Sequence, residues 1–282
     1  MEVVERALRP QSDKSNRGDP ARPFLKWVGG KRQLLGAIGE HIPATYGTYY
    51  EPFLGGGAVF FHAKPRRAVL SDSNVRLIRT YLGVKNDVEG VIDRLRAYRY
   101  ERAFYLRMRE REIDHESDAD VAAWFIFLNR TGFNGLYRVN SKNRFNVPFG
   151  RYVNPVICDA DNLRACSKAL AHADIRVDDF ESVLGRAVKG DFVYFDPPYV
   201  PLSATSSFTS YTSNGFDVGA QQRLRDLLAA LKKKGVRVLL SNSAAPLVRE
   251  LYRRFRFEEV DATRNVNSRA DRRHKITELL IW

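Results

Sequence analysis

The 282-residue chain has only two cysteines, Cys158 and Cys166. Two thiols cannot build a disulfide framework, a four-cysteine zinc site or an iron–sulfur cluster. Both fall in a stretch that reads as helix, so they are expected as buried thiols of a reducing compartment, and no metal site is expected. Long apolar runs are scarce too. No uncharged run reaches the length that spans a bilayer, and the first residues lack the apolar core of a secretory signal. The expectation is a cytoplasmic protein with no membrane partner. Acidic residues are in deficit, 33 against 46 Lys and Arg, for a formal net charge of +13. A surplus of that size points to a polyanionic partner, nucleic acid first. A generally basic solvated surface gives the same total.

Apolar periodicity is missing from Arg9 to Pro20, and residues 1–20 read as a disordered tail. From Pro23 onward, short apolar runs alternate with helical patterns. Residues 48–53 read as a strand ending in the turn Gly55-Gly56-Gly57, residues 58–62 open a helix, and residues 68–71 form the next strand with Asp72 at its end. Strands are also expected at 174–177, 192–195, 236–240 and 277–282, and helices at 220–231 and 245–255. Such alternation argues for a mostly parallel, doubly wound α/β sheet. Residues 85–170 differ, with helical periodicity and one long polar loop from Asn129 to Asn154. They read as an insertion between two parts of the α/β core, 21–84 and 171–282.

Three motifs carry chemistry. The first is Phe53-Leu-Gly55-Gly56-Gly57 between a strand and a helix. Glycines there let the backbone approach a ligand at the positive end of a helix. Asp72, at the end of the next strand, can accept from ribose hydroxyls. The pattern is not the G-x-G-x-x-G of dinucleotide sites, and a tight turn without a ligand fits the same residues. The second is Asp196-Pro197-Pro198-Tyr199 after the apolar run 192–195. Two prolines end the strand and fix a rigid turn whose carbonyls are left to accept. A carboxylate, a carbonyl and a flat aromatic ring suit a planar base with an exocyclic amino group. The nitrogen of such an amine is a poor nucleophile because its lone pair is delocalised. Two acceptors drawing on its hydrogens make that pair available, so positioning and electrostatics supply the acceleration. The alternative is a structural turn with Asp196 as a helix cap. The third runs from Asn129 to Tyr152, with five basic and no acidic residues interleaved with Asn, Gly and aromatics. Arginine can read guanine edges, polar groups can hold phosphates, and Phe133 can wedge into a base stack. A basic surface hairpin without a partner has the same composition. The basic stretch from Arg264 to Lys275 reads as a second charged loop.

Four segments, Phe24-Leu-Lys-Trp-Val-Gly-Gly-Lys31, Glu51-Pro-Phe-Leu-Gly-Gly-Gly57, Asn129 to Tyr152, and Asp196-Pro-Pro-Tyr199 running on to Phe216, resemble the Dam family of DNA adenine-N6 methyltransferases. Their order is that of the alpha group of amino-methyltransferases, and the resemblance covers nearly all of the chain from Pro23. It implies a Rossmann-like methyltransferase sheet with an inserted, mainly helical DNA-recognition domain, S-adenosyl-L-methionine as cofactor and double-stranded DNA as partner. By position it implies that Trp27, Lys31, Phe53, Gly55, Gly57, Asp72, Asp178, Phe180 and Asp196 hold the cofactor. Asp196, Pro197, Pro198 and Tyr199 become the catalytic turn, with Tyr199 stacking on a flipped adenine. Lys26, Arg130, Phe133, Asn134, Leu136, Arg138, Arg151 and Tyr152 become DNA contacts, of which Lys26, Leu136, Arg138 and Tyr152 point to GATC. Val28 stands where the family usually has alanine. The resemblance leaves room for another recognition sequence and for a cognate restriction endonuclease, and a monomer is the default. A zinc deaminase would need a His/Cys set that is missing. A DNA-binding protein without activity would have no need of Lys31, Asp196 and Tyr199 together.

Overall fold

The computed structural model describes residues 20–199, 216–263 and 275–282. The expected tail (save Pro20), the segment between Val200 and Gly215, and the basic stretch from Arg264 to His274 lie outside the described residues.

Seven strands form one sheet: β1 (Tyr49–Glu51), β2 (Ala68–Asp72), β3 (Ala173–Val177), β4 (Phe192–Phe195), β5 (Arg237–Ser243), β6 (Phe257–Thr263) and β7 (Lys275–Ile281). Their order is β3-β2-β1-β4-β5-β7-β6. All neighbours among the first five pair in parallel, and β7 alone runs against them. This is a Rossmann-like, doubly wound sheet in which the antiparallel β7 lies between β5 and the edge strand β6. Its strand order reverses between β1 and β4, where ligands bind at the carboxyl ends of a doubly wound sheet.

The strand sequences explain the layering. A strand covered on both faces reads as a continuous apolar run whose residues alternate between faces. Tyr49, Tyr194, Leu239 and Leu280 join one hydrophobic cluster, while Tyr50, Val193, Phe195, Val238, Leu240 and Ile281 join another. The first cluster is completed by α1 (Leu35–His41), α2 (Ala58–Ala63), α3 (Val75–Asn86), α4 (Val88–Ala97), α5 (Arg102–Glu110), α6 (Asp118–Thr131) and α7 (Ala160–Leu170). The second is completed by α8 (Val183–Arg186), α9 (Val218–Lys233) and α10 (Pro246–Leu251). Helix α6 is buried over almost its whole length, from Ala119 to Thr131, and packs against α3 and α4. The segment between β2 and β3 therefore shares its core with one face of the sheet.

Several expectations shift. The loop expected from Asn129 begins after Thr131, because the last turn of α6 runs through Asn129 and Arg130. Cys158 precedes α7 instead of sharing a helix with Cys166; it is half-buried, and Cys166 is buried. The helix expected to reach residue 255 stops at Leu251. Strand β6 was not expected at all. Its sequence, Phe257-Glu-Glu-Val-Asp-Ala-Thr263, carries three acids, as suits an edge strand that pairs only with β7. Among the described residues, no helix is long and apolar enough to cross a membrane.

Helices α3 and α6 touch at Gly83, where an added Cβ would lie 2.3 Å from the Asp118 carbonyl oxygen and 2.8 Å from the Ala122 Cβ. A backbone atom is the obstacle, so the contact cannot relax by a rotamer change. We expect Gly83→Val to destabilise the chain by about 1–3 kcal/mol, the usual cost of overpacking. That outweighs the propensity gained on replacing glycine, less than ~1 kcal/mol. An unchanged denaturation midpoint would contradict this packing.

Candidate active site and nucleic-acid face

The carboxyl ends of β1 and β4 are adjacent although more than a hundred residues separate them in sequence. Asp196 follows β4 directly. Its Oδ1 lies 2.8 Å from Lys31 Nζ and accepts from Ser241 Oγ at 3.2 Å. Lys31 is 4% exposed, donates to the Gly29 carbonyl at 2.7 Å, and its ammonium stands 4.5 Å from the centre of the Tyr199 ring. The Tyr199 hydroxyl donates to Glu278 on β7. Ser241, on β5, also shares a 2.8 Å hydrogen bond with the Tyr194 hydroxyl. Burial pushes the Asp196 carboxyl above the usual range, with Lys31 and Ser241 opposing the shift. One carboxylate oxygen is thus tethered twice, and no described residue donates to Oδ2. Of the two proline carbonyls expected to be free, that of Pro198 accepts from Gln221 Nε2 at 3.2 Å. No described residue donates to the carbonyl of Pro197.

The glycine turn lies directly against Trp27. Gly55 has φ +47°, and a Cβ there would fall 2.7 Å from the Trp27 indole nitrogen, so the turn requires glycine on both counts. Asp72 accepts from the backbone N–H groups of Gly55 at 3.1 Å and Asn74 at 2.9 Å, which fixes the turn against β2. Phe53 stacks on Phe180 with ring centres 5.4 Å apart, and Phe216 meets both edge-on. Phe53 and Phe180 are too close to admit a third ring between them, so they form one wall. Asp178 is ion-paired with Arg186 beside that wall. Gly57 ends the turn as the residue before α2.

The expected DNA residues gather around the loop after α6. Phe133 is 48% exposed, and Asn134, Arg138 and Arg151 are exposed. Lys26 reaches this loop, its ammonium 4.2 Å from the centre of the Tyr152 ring. Arg138 folds onto Asn146, donating from Nε to the side-chain oxygen at 2.7 Å. Leu136 is half-buried against the first cluster. Arg130 is turned elsewhere. It donates to the Phe24 carbonyl at 2.8 Å and tethers the chain before Lys26.

Four residues escaped the sequence reading. Buried Asn129 exchanges hydrogen bonds with the backbone of Lys26 at 2.8 Å and donates to the Gly135 carbonyl at 2.7 Å, stapling two motifs together. Ser241 and Glu278 reach the site from strands whose sequence looks like ordinary core. Glu51, between Tyr50 and Pro52 in a quoted motif, is 2% exposed and accepts from the Tyr49 hydroxyl at 2.7 Å. A carboxylate at a strand end beside a glycine turn was the only signal available for it.

A doubly wound sheet whose switch point carries Asp-Pro-Pro-Tyr beside a buried lysine defines a methyltransferase acting on an amino group. Residues 27–266 match the D12 class N6 adenine-specific DNA methyltransferase family. The chain is 47% identical to the Type II methyltransferase M1.LlaDCHI of Lactococcus lactis subsp. cremoris, over 92% of this chain and 94% of that protein. It is 43% identical to the Type II methyltransferase M.MjaIII of Methanocaldococcus jannaschii, over 92% and 98%. It is 36% identical to the DNA adenine methylase of Escherichia coli K12, over 92% and 94%. The chain belongs to the D12 class and is an adenine-specific DNA methyltransferase.

Burial raises the Glu51 carboxyl to about 8, against an ordinary value of 4.5. The folded chain keeps this proton where the unfolded chain has lost it. The associated stability is therefore complete below about pH 4.5 and is lost as pH rises toward 8. We expect Glu51→Gln, which still accepts from Tyr49, to flatten the fall in stability between these limits. Urea midpoints at both ends test this, and parallel trends in the two proteins would overturn it.

Proposed function

We propose that the chain transfers the methyl group of S-adenosyl-L-methionine to N6 of adenine within GATC in double-stranded DNA. In this reading residues 85–170 form the target-recognition domain, and the protein works as a monomer in the cytoplasm on nucleoid DNA. The observation that carries the reading is the buried contact between Lys31 and Asp196 beneath the Tyr199 ring.

The donor set suits the proposed cofactor. Asp196 and the carbonyl of Gly29 surround one ammonium, the Gly55 turn leaves backbone where a side chain would intrude, and Phe53 with Phe180 offers a flat apolar wall. When bound, S-adenosyl-L-methionine supplies an electrophilic methyl group on a sulfonium. The chain's own work is positioning. Lys31 and Ser241 hold Asp196 Oδ1, which leaves Oδ2 to accept one hydrogen of the target amine. The carbonyl of Pro197 accepts the other. Two acceptors fixed on a proline-stiffened turn draw the amine toward tetrahedral geometry. As the nitrogen gains its bond to the methyl carbon, the bond from that carbon to sulfur would break, and the proton the nitrogen sheds would leave by way of Asp196 Oδ2 to solvent. Tyr199, its hydroxyl anchored by Glu278, offers a ring face on which the adenine stacks. Exposed Phe133 fills the space a flipped base vacates, and Asn134 and Arg151 hold phosphates. Lys26, Leu136, Arg138 and Tyr152 read the site.

The identity to two Type II methyltransferases favours a second reading of the biological role, in which the enzyme protects DNA from a cognate restriction endonuclease.

We expect Asp196→Ala to lose at least ~10²–10³-fold in methyl transfer, as on removing one electrostatic contact to a reacting group, while DNA affinity stays within a few-fold. Full activity would refute the mechanism. Methylation of short duplexes that differ from GATC at one base pair should fall sharply at each position. Equal rates on altered sites would leave the adenine chemistry standing and remove the GATC assignment.

A further inference from the structure

The loop from Asn129 to Tyr152 holds five basic residues, too few to account for a net charge of +13. The sheet shows where more of the surplus lies. Its carboxyl ends carry acids: Glu51, Asp72, Asp178, Asp196 and Glu278. Its amino ends carry cations. Tyr49 is level with Ala68 and Phe192, and Phe192 with Arg237, so the starts of β2, β1, β4 and β5 lie in one row. Arg66 and Arg67 precede β2, Lys189 precedes β4, Lys233 closes α9 just before β5, and Arg254 and Arg256 precede β6.

All six are exposed, and none makes an ion pair with a described residue. Two contacts tie the row together. The Lys189 stem lies against Gly235, and Lys232 stands 5.4 Å from the centre of the Phe255 ring, joining the end of α9 to the turn before β6. Acids here offset little. Asp191 is buried and accepts from the backbone of Thr48 at 2.8 Å and Val188 at 2.9 Å, Glu250 pairs with Arg253, Glu258 with His41 and Asp174 with Arg176, and exposed Glu40 makes no ion pair with a described residue. Strand β6 lies five strand spacings from β2, about 24 Å across the sheet, the length of roughly seven base pairs. Its first residue is level with Leu240, so Arg254 and Arg256 join the rim through the turn that precedes it.

We propose that this amino-end rim is a second, sequence-independent binding surface for the phosphate backbone of duplex DNA. It lies on the side of the sheet opposite the methylation site, so one protein molecule holds a second DNA segment while the first is engaged. DNA is favoured among polyanions because the enzyme's substrate places it nearby at high local concentration, and because cations spread across one edge of the sheet can meet several phosphates of one duplex.

The test uses the full chain and a variant with Arg67→Gln, Lys233→Gln, Arg254→Gln and Arg256→Gln. Protein saturated on a bead-bound target duplex is offered a labelled non-target duplex. The wild type should capture it, with steep salt dependence. The variant should lose most capture, with a log–log salt slope smaller by about 3–4, one counterion for each cation removed. Its melting temperature and its kcat/KM on a short target duplex should stay within experimental scatter and twofold of the wild type. A control with Arg67→Lys, Arg254→Lys and Arg256→Lys, which keeps the charge, should capture normally. No capture by the wild type, or equal capture by the fourfold variant, overturns the proposal. So does a parallel fall in kcat/KM on the short duplex, which would make the rim part of the primary interface. Phosphatidylglycerol vesicles serve as the competing polyanion, and a variant that loses only vesicle binding would assign the rim to lipid.

Discussion

The contact between Lys31 and Asp196 is the constraint on which the site depends. A lysine that is 4% exposed cannot stay charged in a protein interior without a partner, and its partner stands 2.8 Å away. Breaking such a buried pair from one side costs about 3–5 kcal/mol, although the pair as a whole adds little to stability. Its value is positional. It pins the segment from Phe24 to Lys31 to the end of β4, so one short stretch of chain spans the switch point. Everything nearby is tuned to the same two charges. Asp196 raises the Glu51 carboxyl and Lys31 lowers it, and burial decides the balance. Ser241 donates to the carboxylate, and the Gly29 carbonyl accepts from the ammonium.

The same segment couples the site to the basic loop by packing. Trp27 stacks at 6.4 Å on Phe125 of α6 and at 6.3 Å on Tyr137 of the loop, and these two rings stack on each other at 4.6 Å. Its indole also fills the hollow over Gly55. Asn129 holds the backbone of Lys26 and Gly135. The glycine turn, the lysine segment and the basic loop therefore share one rigid aromatic block. A displacement of the loop must be absorbed within that block or passed to the turn, because close-packed interiors have few voids to accommodate it.

What was legible in the sequence was what local chemistry dictates. Strand β4 and the turn after it matched because an apolar run followed by Asp-Pro-Pro admits few other conformations. The glycine turn was recognisable for the same reason. What the residues hid was whatever depends on pairing across the sheet. Strand β6 carries three acids, as suits an edge, and its acids concealed it. Glu278 and Ser241 are unremarkable within their own strands. They matter because β7 runs antiparallel beside β5, with Glu278 opposite Ser243 and Leu280 opposite Ser241. Arg130 belongs by composition to the basic loop, yet the helical phase of α6 turns it toward Phe24. Composition alone cannot give that phase.

The polarity of the sheet sets a problem for any duplex that approaches its carboxyl edge. Carboxylates cluster where parallel strands end, since that is where an amine, an ammonium or a ribose can be held. The same carboxylates repel a phosphate backbone. A sheet of this kind could bind an isolated base at its carboxyl edge but would resist the duplex that carries it. Cations must then be brought to that edge from outside the sheet, and they must be held rigidly enough to keep register with the turn at Asp196. Helix α6 meets both demands. It is buried among α3, α4 and α5, which makes it rigid, and it ends at the loop that carries Phe133, Arg138 and Arg151. The loop after α6 is thus rich in cations where the carboxyl edge of the sheet is rich in acids, and the burial of α6 fixes the base of that loop relative to the turn at Asp196.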